Sequence, residues 1–122
     1  MGKDYKFDFE RLEVYQKTLE LIRKIFQLMR VLPREYQYSL ADQLRRAGLS
    51  ILNNLAEGSG QLSKKEKGRY YRISLNSSRE CIPMLTLLWQ EHQISPSTHQ
   101  ELREEIVHIA NMLGKLIGSL NI

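Results

Sequence analysis

Cysteine is almost absent from this sequence, which has Cys81 alone among its 122 residues. A single cysteine excludes an internal disulfide, and no group of cysteines and histidines has the spacing of a structural zinc site. The small secreted classes that depend on disulfides or zinc are therefore excluded. We expect Cys81 to be a small, buried, apolar residue.

Long hydrophobic runs are also missing. No stretch approaches the roughly eighteen uninterrupted apolar residues that a membrane span requires. The opening residues lack the apolar segment of a secretory signal, and Lys6 stands where a myristoylation signal has serine or threonine. These absences predict a soluble, cytoplasmic protein without a membrane partner. The length fits one domain over residues 1–122, large enough to bury roughly two-thirds of the surface of the unfolded chain.

Apolar residues recur at steps of three and four along most of the chain, which is the period of an amphipathic helix. Four such segments predict helices over residues 9–31, 36–57, 63–91 and 96–120. Joined by short turns, they predict an all-α fold, an antiparallel up-down-up-down four-helix bundle. The first helix carries a second apolar set that widens its stripe, which favours either self-association or full coverage by the other three helices.

The ends of these helices carry recognisable signals. Asp8 is expected to cap the first helix, and Gly58-Ser59-Gly60 to end the second through a left-handed glycine. Ser63-Lys64-Lys65-Glu66 predicts a capping box at the start of the third helix. Ser95-Pro96 predicts the start of the fourth. Pro83 interrupts the third helix, where we expect it to lie opposite the apolar stripe and to introduce a kink.

Polar side chains lie on the faces of the second and third helices that the periodicity turns inward. The predicted set comprises Gln43, Ser50, Asn54, Glu57, Ser77 and Glu80. Because an unsatisfied buried polar group costs on the order of 1–3 kcal/mol, we expect each to have a partner. Lys67 and Tyr70 are the predicted partners of Asn54 and Glu57.

Two interpretations of these residues are open. The favoured one is a structural polar seam whose hydrogen bonds fix the register of the two helices. The alternative is a catalytic pair of carboxylates, Glu57 and Glu80, acting as acid and base. The spacing supplies neither a nucleophile nor a substrate pocket for the catalytic interpretation.

The same segments resemble one protein family. Gln43-Leu44-Arg45-Arg46-Ala47, Asn54-Leu55-Ala56-Glu57-Gly58 and Ser77-Ser78-Arg79-Glu80, with the opening Phe9-Glu10-Arg11-Leu12, are similar to the four-helix-bundle proteins encoded in intervening sequences of bacterial 23S ribosomal RNA genes. The resemblance covers nearly the whole chain. It implies rings, typically pentamers, and a relationship to the accessory protein of diversity-generating retroelements, which binds a reverse transcriptase and nucleic acid. Asn76 departs from the family pattern, which commonly has glycine there.

Positive charge is concentrated in one segment. The net charge is +4, and residues 61–90 hold six basic and two acidic side chains. One set recurs at steps of four, three, four and three along the third helix, and we call it the basic stripe: Lys65, Arg69, Arg72, Asn76 and Arg79. Cations at one-turn spacing can follow the phosphates of a nucleic acid, and ring assembly would multiply the effect. An ordinary solvated helix face is the alternative.

No metal or cofactor is predicted. Glu105-Ile106-Val107-His108 matches one Glu-x-x-His element of a di-iron bundle, but such sites need two elements and further inward carboxylates. His92 and His99 are expected at the surface. Gly58-Ser59-Gly60 lacks the lysine and the spacing of a phosphate-binding loop.

The sequence thus predicts a non-enzymatic, ring-forming bundle that binds RNA or a nucleic-acid-handling protein through the basic stripe. One alternative is an oligomeric scaffold that has no role with nucleic acids. The other is a hydrolase that uses Glu57 and Glu80.

Overall fold

The computed structural model describes residues 6–122, and its long elements are all helices. A short 3-10 turn, Asp8–Arg11, comes first. The helices that follow are α1 (Glu13–Arg30), α2 (Arg34–Gln37), α3 (Leu40–Ser59), α4 (Lys64–Gln90) and α5 (Pro96–Ser119). Within the described residues, no helix is long and apolar enough to cross a membrane.

The four long helices close into a bundle. α3 packs on α4, α4 on α5, α5 on α1 and α1 on α3, so that α1 and α4 lie diagonally opposite each other. Ser50 meets Ser77, and Gly58 meets Tyr71, so α3 and α4 run in opposite directions. The prediction of an all-α four-helix bundle is confirmed.

A continuous apolar core fills the bundle. Its fully buried large side chains come from all four long helices: Leu21, Ile25, Met29, Leu44, Ile51, Leu55, Leu85, Leu88, Ile106, Ile109 and Leu113. Burying one such side chain contributes roughly 1.5–3 kcal/mol. Cys81 is also buried, as expected, and burial raises the pKa of its thiol to about 12.

The wide apolar stripe of the first helix is covered within one chain. Val14, Leu21 and Ile25 are buried, and Leu28 is partly buried against the same core. Leu32, just after the helix, is buried as well. Of the two explanations for the wide stripe, coverage by neighbouring helices accounts for these residues, and self-association needs other support.

The predicted start of the first helix is wrong. Asp8 lies inside the 3-10 turn, whose N-cap is Phe7, and it does not cap α1. Leu12 has an extended backbone, with ψ at 133°, so the helical hydrogen-bond pattern cannot run through it from Phe9. Phe9 instead packs edge-on against Tyr15, with ring centroids 5.2 Å apart.

The predicted second helix is divided in two. Between α2 and α3, Ser39 has a non-helical backbone, with φ at −126° and ψ at −102°. Gln37, the last residue of α2, donates from Nε2 to the carbonyl oxygens of Met29 at 2.6 Å and Leu32 at 2.9 Å. The side chain of Gln37 therefore ties α2 to the last turn of α1 and to Leu32 just beyond it.

The left-handed glycine cap predicted at the end of this segment is also wrong. α3 continues through Gly58 and ends at Ser59, and Gly60 has a right-handed φ of −82°. Gly58 is buried because the ring of Tyr71 lies against it. A Cβ atom at Gly58 would stand 2.7 Å from Cε1 of Tyr71. This glycine serves close packing between helices rather than a turn.

The starts of the last two helices are confirmed. Ser63 Oγ accepts the amide N–H of Glu66 at 3.1 Å, and Ser95 Oγ accepts that of Thr98 at 3.1 Å. The predicted capping box at Ser63 is only half formed, because the carboxylate of Glu66 bonds to another side chain. Pro83 is exposed within α4, as its predicted position away from the core requires.

Candidate nucleic-acid interface

All five residues of the basic stripe are exposed on α4. They lie on the side of the helix away from its buried positions, which include Tyr71, Ser74 and Cys81. At a rise of about 1.5 Å per residue, the stripe from Lys65 to Arg79 extends roughly 21 Å along the helix. Its role in binding remains a prediction.

One cation of the stripe is paired with a neighbouring acid. Glu66 Oε2 lies 2.7 Å from Nε of Arg69. The Arg69 guanidinium also stacks over the ring of Tyr70, 4.3 Å from its centroid. The hydrogen bond to Glu66 raises the pKa of Arg69. The charge of Arg69 is therefore partly offset and its side chain is held in place.

Lys65, Arg72 and Arg79 form no ion pair or hydrogen bond through their side chains within residues 6–122. They are seven residues apart, which is nearly two helical turns and about 10.5 Å. Their side chains therefore leave α4 along almost one line. We call these three residues the free cations of the stripe.

Hydrogen bonds between α3 and α4, which the predicted polar seam requires, come from hydroxyl and amide groups. Ser50 Oγ lies 2.7 Å from Ser77 Oγ, and Asn54 donates to Ser50 Oγ at 3.0 Å. Ser74 donates to the carbonyl oxygen of Ile51 at 2.7 Å. Among the described residues, no fully buried side-chain nitrogen or oxygen lacks a partner. These bonds tie α3 to α4 in one register.

The other three residues of the predicted seam do not face inward. Gln43, Glu57 and Glu80 are exposed. The predicted partners differ too, since Lys67 Nζ donates to the carbonyl oxygen of Ser59 at 2.8 Å. Asn54 bonds to Ser50 on its own helix instead of to Lys67 or Tyr70. The two helices pack through their small residues, so longer side chains at the margins of the contact turn to solvent.

The predicted carboxylate pair is not assembled. Glu57 lies seven residues beyond Ser50 on α3, and Glu80 lies three residues beyond Ser77 on α4. Because the helices are antiparallel, the two carboxylates diverge from the Ser50–Ser77 contact by ten residues, or roughly 15 Å. They cannot act on one reacting group.

Above the seam, an open cleft of about 330 Å³ separates the outer edges of α3 and α4. Its lining comprises Gln43, Arg46, Ala47, Ser50, Ser77, Glu80 and Met84. Ala47 and Ser77 are buried and form the floor, while Arg46 and Glu80 are exposed and form opposite rims. We call this feature the polar cleft. The sequence pattern did not indicate Arg46 or Met84, because their place in the cleft depends on how the helices pack.

A second groove, of about 400 Å³, lies between α1 and α5 and is acidic. Lys24 Nζ is 3.1 Å from both Glu101 and Glu105, and these hydrogen bonds raise the pKa of the lysine. Glu20, Glu104 and His108 also line it. Among the described residues, no group of three or more acidic, histidine or cysteine side chains could hold a metal ion. The lining of this groove therefore carries a small excess of negative charge, since Lys17 also lines it beside Lys24.

Of the two histidines expected at the surface, one is only partly exposed. His99 is half-buried, stacks on Trp89 with ring centroids 4.7 Å apart, and lies 3.2 Å through Nε2 from Thr86 Oγ1. This contact joins the end of α4 to the start of α5. His92 is exposed, as expected.

A model of the 23S rRNA-intervening sequence protein family matches residues 10–115. The chain belongs to the 23S rRNA-intervening sequence protein family. The match includes all of α3 and α4, and hence the residues of both the basic stripe and the polar cleft. No curated protein matches the chain.

Among solved structures, the chain is similar to a protein with unknown function from the S23 ribosomal protein family of Bacteroides thetaiotaomicron VPI-5482. The TM-score is 0.79 at 23% identity, covering 85% of this chain and 97% of the other. At this identity the likeness shows the fold alone. Neither description names an enzyme.

Proposed function

We propose that this protein is a non-enzymatic bundle that binds RNA through the basic stripe of α4. The observation that carries the proposal is the set of free cations, Lys65, Arg72 and Arg79. They are exposed and lie along one line, and they form no ion pair within residues 6–122. Each can therefore approach a phosphate without first breaking a contact in the protein.

The number of free cations also sets the expected salt dependence of binding. Each phosphate neutralised by a basic side chain releases condensed counterions, and the logarithm of affinity falls with the logarithm of salt by about 0.7–0.9 per phosphate. Three free cations predict a slope of roughly −2 to −3 for each chain. Contacts to phosphates position a nucleic acid but do not read its sequence. Phosphate contacts alone therefore give binding that depends little on the nucleotide sequence.

A non-enzymatic role is supported by the positions of the candidate catalytic groups. Glu57 and Glu80 lie roughly 15 Å apart along the helices. Cys81 is buried, with a thiol pKa raised to about 12, so its nucleophilic thiolate is scarce at neutral pH.

Assembly into a homo-oligomeric ring, typically a pentamer, is part of the same proposal. Its structural support lies at the connection between α1 and α3, where Val31 is 79% exposed and Tyr38 is 85% exposed. A second chain packed at this end of the bundle would cover both side chains. Size-exclusion chromatography with light scattering measures the assembly, and a strict monomer at micromolar concentration would contradict it. An oligomer that fails to bind RNA would instead indicate a scaffold.

The RNA test compares variants of equal charge. We expect Arg72→Ala with Arg79→Ala to weaken retention of a labelled RNA in a filter assay across a salt series, and to reduce the salt slope by roughly 1.4–1.8. Arg23→Ala with Arg30→Ala is the control, because both are exposed arginines on α1, diagonally opposite α4. Circular dichroism checks that each variant is folded. Unchanged retention of the double variant at low salt would refute the proposal.

A further inference from the structure

The polar cleft presents two opposite charges that do not neutralise each other. Arg46, on the α3 rim, pairs through Nε with Asp42 Oδ2 of its own helix at 3.2 Å. Glu80, on the α4 rim, forms no hydrogen bond or ion pair within residues 6–122. Arg46 and Glu80 therefore do not form an ion pair with each other. The buried floor of Ala47 and Ser77 lies between them.

The cleft lies beside the basic stripe. Glu80 follows Arg79 directly in sequence, and Asn76 is one turn earlier on α4. The 2.7 Å contact between Ser50 and Ser77 holds the α3 rim at a fixed position against this part of α4. A nucleic-acid strand whose phosphate reaches Arg79 consequently passes the mouth of the cleft.

A carboxylate at this position lowers the affinity for an RNA strand unless the strand offers donors whose hydrogen bonds the carboxylate can accept. Phosphates and carboxylates repel, and the base edges must compensate. Guanine suits both rims. Its Watson–Crick edge carries two adjacent donors, N1–H and N2–H₂, which a carboxylate can accept together, and its N7 and O6 atoms accept from an arginine. Adenine, cytosine and uracil do not present two adjacent donors.

We propose that the polar cleft is a guanine-reading site for single-stranded RNA held along the basic stripe. Glu80 accepts the Watson–Crick donors of the base, and Arg46 donates to N7 and O6. The small floor residues, Ala47 and Ser77, leave room for a flat ring. Reading a base in this way requires an unpaired, splayed nucleotide, which is the usual target of sequence-specific RNA recognition. This inference rests on the proposed function of the stripe and adds its substrate class.

The test uses two labelled oligoribonucleotides of about nine nucleotides, a length within the range that single-strand-binding proteins cover. One is all uridine, and the other has a single central guanosine. Fluorescence anisotropy at low salt should show roughly tenfold tighter binding of the guanosine oligonucleotide, within the range of a bidentate base contact. Replacing guanosine by inosine, which lacks the N2 amino group, should remove most of this preference.

Variants of the protein assign the preference to the cleft. Glu80→Gln should abolish it without weakening binding of the all-uridine oligonucleotide. Glu57→Gln is the matched control, because Glu57 is an exposed glutamate that forms no side-chain hydrogen bond or ion pair within residues 6–122 and lies outside the cleft. Replacing guanosine by 7-deazaguanosine should weaken binding to the wild type but not to Arg46→Gln.

The outcomes separate the two proposals. Equal affinity of the wild type for both oligonucleotides overturns the guanine site and leaves binding by the stripe in place. A guanosine preference that survives Glu80→Gln overturns the guanine site too. Tighter binding of a duplex of the same sequence than of the single strand also overturns the guanine site. If neither oligonucleotide binds at low salt, both proposals fail.

Discussion

Two glycines allow a direct test of how α4 is held against α3. Gly58 and Gly114 both lie within helices, where replacing glycine by alanine stabilises by up to about 1 kcal/mol through backbone propensity. Their surroundings differ completely. A Cβ atom at Gly58 would stand 2.7 Å from Cε1 of Tyr71 and 3.0 Å from Cβ of Tyr70, whereas one at Gly114 would meet nothing within 4 Å.

The same substitution should therefore have opposite effects at the two positions. Gly58→Ala forces a methyl group against a tyrosine ring that is only 4% exposed, and overpacking of this kind costs about 1–3 kcal/mol. Gly58 also lies in the last turn of α3, so its gain in propensity is smaller. We expect Gly58→Ala to destabilise by about 1–2 kcal/mol and Gly114→Ala to stabilise by up to about 1 kcal/mol. Near 4 °C per kcal/mol, these changes lower Tm by roughly 4–8 °C and raise it by up to about 4 °C.

Thermal unfolding monitored by circular dichroism, with urea unfolding as a second measure, compares the two variants. If contact with the ring is the cause, Gly58→Ala should cost less in a Tyr71→Ala background, since neighbouring substitutions couple. A Gly58→Ala variant as stable as Gly114→Ala would refute the packing argument. An equal cost with and without the ring would place the strain elsewhere.

Two further predictions concern charge. Glu66→Gln should release Arg69 from its 2.7 Å ion pair and tighten RNA binding, with a steeper salt slope by up to about 0.9, while Glu57→Gln should leave the slope unchanged. Because the folded pKa of Cys81, about 12, is above its ordinary value of 9.0, the neutral thiol contributes stability that is complete below pH 9 and is lost as pH rises toward 12. In urea unfolding, Cys81→Ala should thus lose less stability than wild type between pH 9 and 11, and parallel losses would contradict the pKa argument.

The fold could be predicted from the sequence because the spacing of apolar residues that marks a helix is repeated many times along the chain. Apolar residues at three- and four-residue steps mark each long helix, and the tertiary structure preserves that pattern. The ends were less predictable, because single residues decide them. Asp8 has a capping side chain, but the extended backbone of Leu12 moves the start of α1. Gly58 resembles a helix stop, but the ring of Tyr71 makes a glycine necessary within the helix.

Only part of the candidate site could be predicted from the sequence. Exposure of the basic stripe follows from helical periodicity, and the structure places all five residues outside. The pairing of Arg69 with Glu66 had a signal, since the two are three residues apart on a helix. The sequence pattern also predicts that Glu66 closes the capping box at Ser63, and its carboxylate does not make both contacts. Which polar residues turn inward depends on the width of the helix contact, which periodicity does not specify.

In the proposed binding mode, the basic stripe and the polar cleft have opposite effects on the affinity for an RNA strand. Arg79 attracts any phosphate, whereas the neighbouring Glu80 repels it. A stripe alone would bind best with no acid beside it. The carboxylate lowers affinity for every strand, and only a base that offers it two donors recovers the loss. Selectivity for guanine would then arise as much from rejection of other sequences as from the contact itself. It depends on the register that Ser50 and Ser77 maintain, because a slip of α3 along α4 would separate Arg46 from Glu80 and leave the repulsion without its compensation.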